Sequence, residues 1–162
     1  MRSGPFAAVI MAGSVEIRRA GVADVPQLAL LFDLYRQFYR QAADLDGAIA
    51  FLTERLEREQ SVAFLATDGA DPMGFTQLFP SFTSAGMART FILNDLFVAQ
   101  AARGRGVGTA LLRQAAQFAR DEGAVRLFLS TAIDNHAAQS LYEREGWERD
   151  EAFFTYRLRV AD

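Results

Sequence analysis

Apolar residues recur along this chain first at intervals of two, then at intervals of three and four, and the changes of period mark its elements. Val15 to Arg18 alternates and predicts a first strand. Asp24-Val25-Pro26 offers an N-cap with proline just inside a helix. Leu28, Leu31, Leu34 or Tyr35 and Phe38 carry that helix to about Gln41, and Ile49, Leu52 and Leu56 share one face of a second helix over 45–59. Strand-like runs follow at Val62–Thr67 and Met73–Phe79, and Asp68-Gly69-Ala70-Asp71-Pro72 between them predicts a hairpin turn. Pro80 to Gly86 reads as a polar loop. Thr90–Val98 is the next strand, Gly106–Glu122 a long helix and Arg126–Ser130 a compact strand. A short helix over Asn135–Glu145 stops at Gly146, and Ala152–Val160 is expected to close the chain as a strand.

The order β-α-α-β-β-β-α-β-α-β predicts an α/β (α+β) fold, with a mixed, mostly antiparallel twisted sheet and helices on both faces. No repeat or linker interrupts it, so residues 14–162 are expected to form one domain. Residues 1–13 read as a flexible N-terminal extension rather than a targeting signal, and Met11 is a second candidate start.

Composition narrows the chemistry. At 162 residues, 51% hydrophobic and 23% charged, the chain suits a globular domain that needs no covalent staples. It has no cysteine, which removes disulfides, thiolate metal ligands and cysteine nucleophiles. All 17 basic residues are arginine, so a Schiff-base lysine and a P-loop lysine are absent too. The net charge of −3 argues against a nucleic-acid partner. No stretch approaches the roughly 18 apolar residues of a membrane span, and a cytoplasmic protein without a membrane partner is expected. His136 is the only histidine; it reads as a solvent-facing helix residue, and no metal site is expected.

The most informative run is Leu96 to Leu112, where a strand passes through Arg103-Gly104-Arg105-Gly106-Val107-Gly108 into a helix. First-turn amides of a helix have no intrahelical acceptor, so they can bind phosphate oxygens, and two guanidinium groups stand beside them. Glycines admit unusual backbone angles and let a ligand approach closely. A tight turn with two solvent-facing arginines is the alternative. A P-loop lysine is missing, and the glycine spacing does not fit a dinucleotide fingerprint. Downstream, Asn135, Ala138 and Tyr142 fall at turn-length intervals on the short helix, near the expected carboxyl ends of neighbouring strands. Tyr142 could equally be a core aromatic whose hydroxyl reaches the surface.

Together these two constellations resemble a known pattern. Arg103-x-x-Gly106-x-Gly108 is similar to the acyl-CoA-binding signature of the GNAT acetyltransferase superfamily, and Asn135-x-x-Ala138-x-x-Leu141-Tyr142-x-x-x-Gly146-Trp147 resembles its second block. The resemblance is nearest to the branch that acetylates polyamines and other small amines, and covers Phe91 to Trp147 most strongly. It implies acetyl-CoA as cofactor, with its pantetheine arm between splayed strands at Leu96, Phe97 and Val98. The Val98 N–H would face the thioester oxygen. Arg103, Gly104, Arg105, Gly106, Val107, Gly108 and Thr109 would hold the pyrophosphate, and Asn135, Ala138 and Tyr142 would line the cofactor.

Acetyl transfer to an amine needs a fixed donor for the developing oxyanion, a proton for the leaving thiolate and an acceptor for the amine proton. Tyr142 is the candidate acid. Asp95 is the candidate base, with a water chain as the alternative; alternation lets only one of Asn94 and Asp95 face the amine unless a bulge intervenes. Tyr35, Tyr39, Asp44, Phe79, Phe82 and Asn94 come from segments that would wall an acceptor pocket, where tyrosine faces suit an ammonium group. The expected function is therefore transfer of acetyl to a primary amine of a small cationic molecule, polyamine or amino-acid-like, by direct attack in a ternary complex. A peptide acceptor and a non-catalytic acyl-CoA-binding module are the alternatives. The aromatic run Phe153-Phe154-Thr155-Tyr156 suggests a homodimer.

Overall fold

The computed structural model describes residues 10–161. Six strands lie in sequence order in one sheet: β1 (Ile10–Ala12), β2 (Val15–Arg19), β3 (Val62–Asp68), β4 (Asp71–Thr83), β5 (Ala88–Val98) and β6 (Arg126–Phe128). Neighbours from β1 to β5 are antiparallel, and β6 joins β5 in parallel. The helices are α1 (Val25–Phe38), α2 (Leu45–Glu57), α3 (Val107–Asp121) and α4 (His136–Arg144). The fold class is the expected mixed sheet with helices on both faces. The chain divides into two compact units, one running to Ser130 and one from Thr131 onward.

Alternation along β3 and β4 sorts side chains onto two faces. Ala63, Leu65 and Phe75 bury against Leu28, Leu31 and Phe32 of α1 and Leu52 of α2. On the other face, Phe118 of α3 packs edgewise on Phe64 at 5.6 Å and against Phe91 at 5.3 Å. Gly74 lies under α3: a Cβ there would stand 2.8 Å from the Phe97 carbonyl and 3.3 Å from Leu111 and Val107. Glycine at this position lets the helix settle onto the sheet.

The structure differs from the sequence-based expectation at several boundaries. Residues 10–12, expected in a loose arm, pair with β2 in a hairpin closed by Gly13 and Ser14; the rest of that expected extension, residues 1–9, lies outside the described residues. β4 runs on to Thr83 through the expected loop, because Ser81, Phe82 and Thr83 pair with Thr90, Arg89 and Ala88. Helix α1 stops at Phe38 rather than near Gln41. Arg40 takes a left-handed φ of 62°, and the Gln41 and Arg40 amides donate back to Arg36 and Gln37. Ala152–Val160, expected as a closing strand, is exposed and forms no strand among the described residues. Strand propensity reflects fit to a neighbouring strand, and none is paired with it here.

Candidate active site

A single extra residue in β5 creates the centre of the site. Leu78 pairs with Leu93 and Gln77 with Asp95, so Asn94 has no opposite number and the strand bulges. The bulge reverses the alternation. Phe91 and Leu93 face α3, whereas Asp95 and Phe97 face α1, which is how Asp95 enters the aromatic layer that strict alternation would have denied it. Asp95 is 4% exposed. Its carboxylate accepts from Gln77 Nε2 at 2.7 Å and from Asn94 Nδ2 at 3.0 Å. The Tyr35 hydroxyl bonds it as well. Burial nevertheless outweighs these neutral donors and pushes the carboxyl above its ordinary range.

Tyr35 is the hub of an aromatic group above this carboxyl. Its ring meets Tyr39 at 5.0 Å, Phe75 at 5.9 Å and Phe97 at 6.4 Å, mostly edge to face. Asp33 fixes the end of α1 that carries these tyrosines, accepting from the Asp44 amide at 2.9 Å, from Gln37 and from Arg36. Asp44, expected in the pocket wall, instead caps α2 by accepting from the Gly47 amide. Thus Tyr35, Tyr39, Asn94 and Asp95 come together. Phe79 lies two positions along β4 from Gln77 on the same face, paired with Ile92. Phe82 does not join them: it faces the other side of the sheet, is 71% exposed and lies 5.9 Å from Arg89.

The glycine–arginine loop follows directly. Pairing of β5 with β6 ends at Ile92–Phe128, so Leu93 to Val98 has no strand against that edge among the described residues. The Ala99 amide donates toward β4, to Met73 O at 2.8 Å, and backbone alternation therefore turns the Val98 N–H to the open edge. Leu96, Phe97 and Val98 are half-buried there. Gly104 and Gly106 have φ of 75° and 77°, and a Cβ on either would meet nothing within 4 Å. Gly106 caps α3, whose first turn closes with Ala110 N–H donating to Gly106 O. The amides of Val107, Gly108 and Thr109 precede that bond, so none has an intrahelical acceptor. Arg103 is exposed and reaches the Val98 carbonyl at 3.4 Å. Arg105 is held to Asp68 at 2.7 Å and to Ser14 at 3.1 Å, which anchors the loop to the β3–β4 turn.

In the second unit, Asn135 caps α4: its side-chain oxygen accepts from the Ala138 amide at 3.2 Å. Gly146, at φ 83°, ends the helix, and the Trp147 amide donates to Tyr142 O. The Tyr142 and Trp147 rings lie 6.1 Å apart. The spacing of Asn135, Ala138, Tyr142, Gly146 and Trp147 is therefore that of one capped helix from start to stop. Sequence reasoning missed Gln77, Ser61 and the Asp68–Arg105 pair. Gln77 carried a signal: it is a polar residue at an inward position between Phe75 and Phe79.

The residues fit an acyl-CoA group: outward amides at a helix start, open space beside two left-handed glycines, and an unpaired strand edge. Comparisons with known proteins agree. The model of the acetyltransferase (GNAT) family matches residues 28–147. The uncharacterized N-acetyltransferase YhfO of Bacillus subtilis is 48% identical, covering 90% of this chain and 98% of its own. A probable acetyltransferase of Haemophilus influenzae is 32% identical, over 77% and 84% of the two chains. The crystal structure of a probable acetyltransferase superposes with a TM-score of 0.85 at 42% identity, covering 90% of this chain and 98% of that one. The chain therefore belongs to the acetyltransferase (GNAT) family.

Proposed function

We propose that this N-acetyltransferase moves an acetyl group from acetyl-CoA to the primary amine of a small cationic molecule, polyamine or amino-acid-like. The observation that carries the reading is the buried Asp95 carboxylate bonded by Tyr35, whose ring meets Tyr39. A carboxylate with raised proton affinity suits removal of a proton from an ammonium group, and tyrosine faces attract that cation before it reacts. Asn94 and Phe79 complete the wall on the sheet side. Two relatives named for amino-acid-like acceptors support the class. The D-amino-acid N-acetyltransferase HPA3 of Saccharomyces cerevisiae is 28% identical over 74% of this chain. The thialysine N-epsilon-acetyltransferase of Caenorhabditis elegans is 24% identical over 82%.

When bound, acetyl-CoA supplies the activated acyl group. Arg103, Gly104, Gly106, Val107, Gly108 and Thr109 would hold its pyrophosphate, while Arg105 braces the loop through Asp68. The backbone of Leu96, Phe97 and Val98 would orient the arm, and the Val98 N–H would serve as donor to the oxygen on which negative charge develops. Asp95 takes the amine proton. Asn135 and Ala138 would contact the cofactor, and the Tyr142 hydroxyl would supply the proton that a departing thiolate takes up. No acyl-enzyme is needed, because the amine attacks directly.

An exposed apolar row on α1, Leu30, Leu34 and Phe38, supports a homodimer. The deciding experiment is release of free CoA across a panel of polyamines, amino acids, aminoglycosides and peptide amines. Release with the small cationic amines is expected. Turnover confined to peptides contradicts the acceptor class, and acetyl-CoA binding without turnover on any amine favours a non-catalytic module.

A further inference from the structure

We propose that Gln77, locked by Ser61, is a positioning residue that holds the Asp95 carboxylate in one orientation and favours its charged form. The link to turnover rests on Asp95 being the proton acceptor. Gln77 sits mid-sheet with no exposed surface, on the face that carries Ala63, Leu65 and Phe75. An amide in such surroundings is costly unless both of its ends are bonded. Both are: Nε2 donates to Asp95 Oδ2 at 2.7 Å, and Oε1 accepts from Ser61 Oγ at 2.8 Å. Ser61 is itself 4% exposed.

The three groups form one directed chain, Ser61 to Gln77 to Asp95. An ionised carboxylate only accepts, so the amide must present its N–H2 to Asp95 and its oxygen to the serine hydroxyl. The reversed amide would set its oxygen against a carboxylate oxygen. The acceptor-only carboxylate thus sets the orientation of the amide, Ser61 holds it there by donating to Oε1, and each bond polarises the next. The other groups acting on Asp95 are the Tyr35 hydroxyl from α1 and the Asn94 amide from β5, neutral like Gln77. Gln77 is the foremost of the three in opposing burial. Without it, Asp95 would keep its proton to higher pH, and the charged acceptor would form only at higher pH.

The test is ¹³C carboxyl NMR of the full chain labelled at aspartate, with the Asp95 signal identified by its loss in Asp95→Asn. Gln77→Met keeps the volume and removes the donor; the Asp95 midpoint should rise by about one pH unit or more. Ser61→Ala should raise it by less, and Ser61→Thr should restore it. An unchanged midpoint in Gln77→Met overturns the proposal. If that variant does not fold, an unchanged midpoint in Ser61→Ala does the same. In parallel, the acid limb of kcat/KM should move with the midpoint. A moved midpoint with a fixed limb supports the hold of Gln77 on Asp95 and contradicts only the base role.

Discussion

At the scale of single residues, Asp95, the proposed base, carries a stability cost. Burial raises its proton affinity in the fold, so the native state binds more protons than the unfolded chain between the ordinary carboxylate value and the raised one. Stability therefore falls as pH rises through that window and is level above it. Asp95→Asn removes this loss. As pH rises from about 4 toward neutral, the melting temperature of the parent protein is expected to fall relative to that of Asp95→Asn. A difference between the two that does not change with pH would contradict the burial argument. Tyr142 is the other residue with an assigned proton. Tyr142→Phe should lower kcat while leaving acetyl-CoA affinity in place, and equal loss of both would remove its role as acid. The sequence singled out both residues. It left Asp95 open because Asn94 and Asp95 alternate, and only the pairing register reveals that Asn94 is the residue bulged out.

At the scale of elements, glycine and non-glycine turns behaved differently as signals. The Gly106 start of α3 was legible, since Gly106-x-Gly108 after a strand has few other uses. Gly106→Glu places a bulky anion where open space and outward amides now lie, at a left-handed φ. Acetyl-CoA binding should be lost in calorimetric titration, and unchanged affinity would refute the phosphate cradle. The ends of α1 and α2 were harder to read. Arg40 and Glu59 occupy the left-handed position after each helix, where glycine is usual, so composition carried no stop signal. In α2, the Glu59 and Gln60 amides donate back to Leu56 and Arg55 all the same. Glu59→Gly relieves the strained backbone and should stabilise the protein by about 1 kcal/mol in chemical denaturation. The Asp68–Arg105 pair was illegible for another reason: its partners lie 37 positions apart, and only the hairpin brings them together.

At the scale of the whole molecule, the sheet of the first unit is a divider with α1 and α2 on one face and α3 on the other, and the bulge in β5 turns Asp95 from the α3 face to the α1 face. The period-two and period-four patterns foretold this layering, because they record which face each residue buries. They could not foretell pairing partners, and so they missed the short β1 and placed a strand over 152–160, where no strand forms among the described residues. The central claim is that the bulge delivers Asp95 as proton acceptor. Its most direct test is kcat/KM against pH for the parent protein and Asp95→Asn, with saturating acetyl-CoA and an amine turned over in the panel. The parent protein should show an acid limb above the ordinary aspartate value of about 4, and the variant should lack that limb and turn over about 10²- to 10⁴-fold more slowly. A variant that keeps both the parent rate and the same limb would contradict the account.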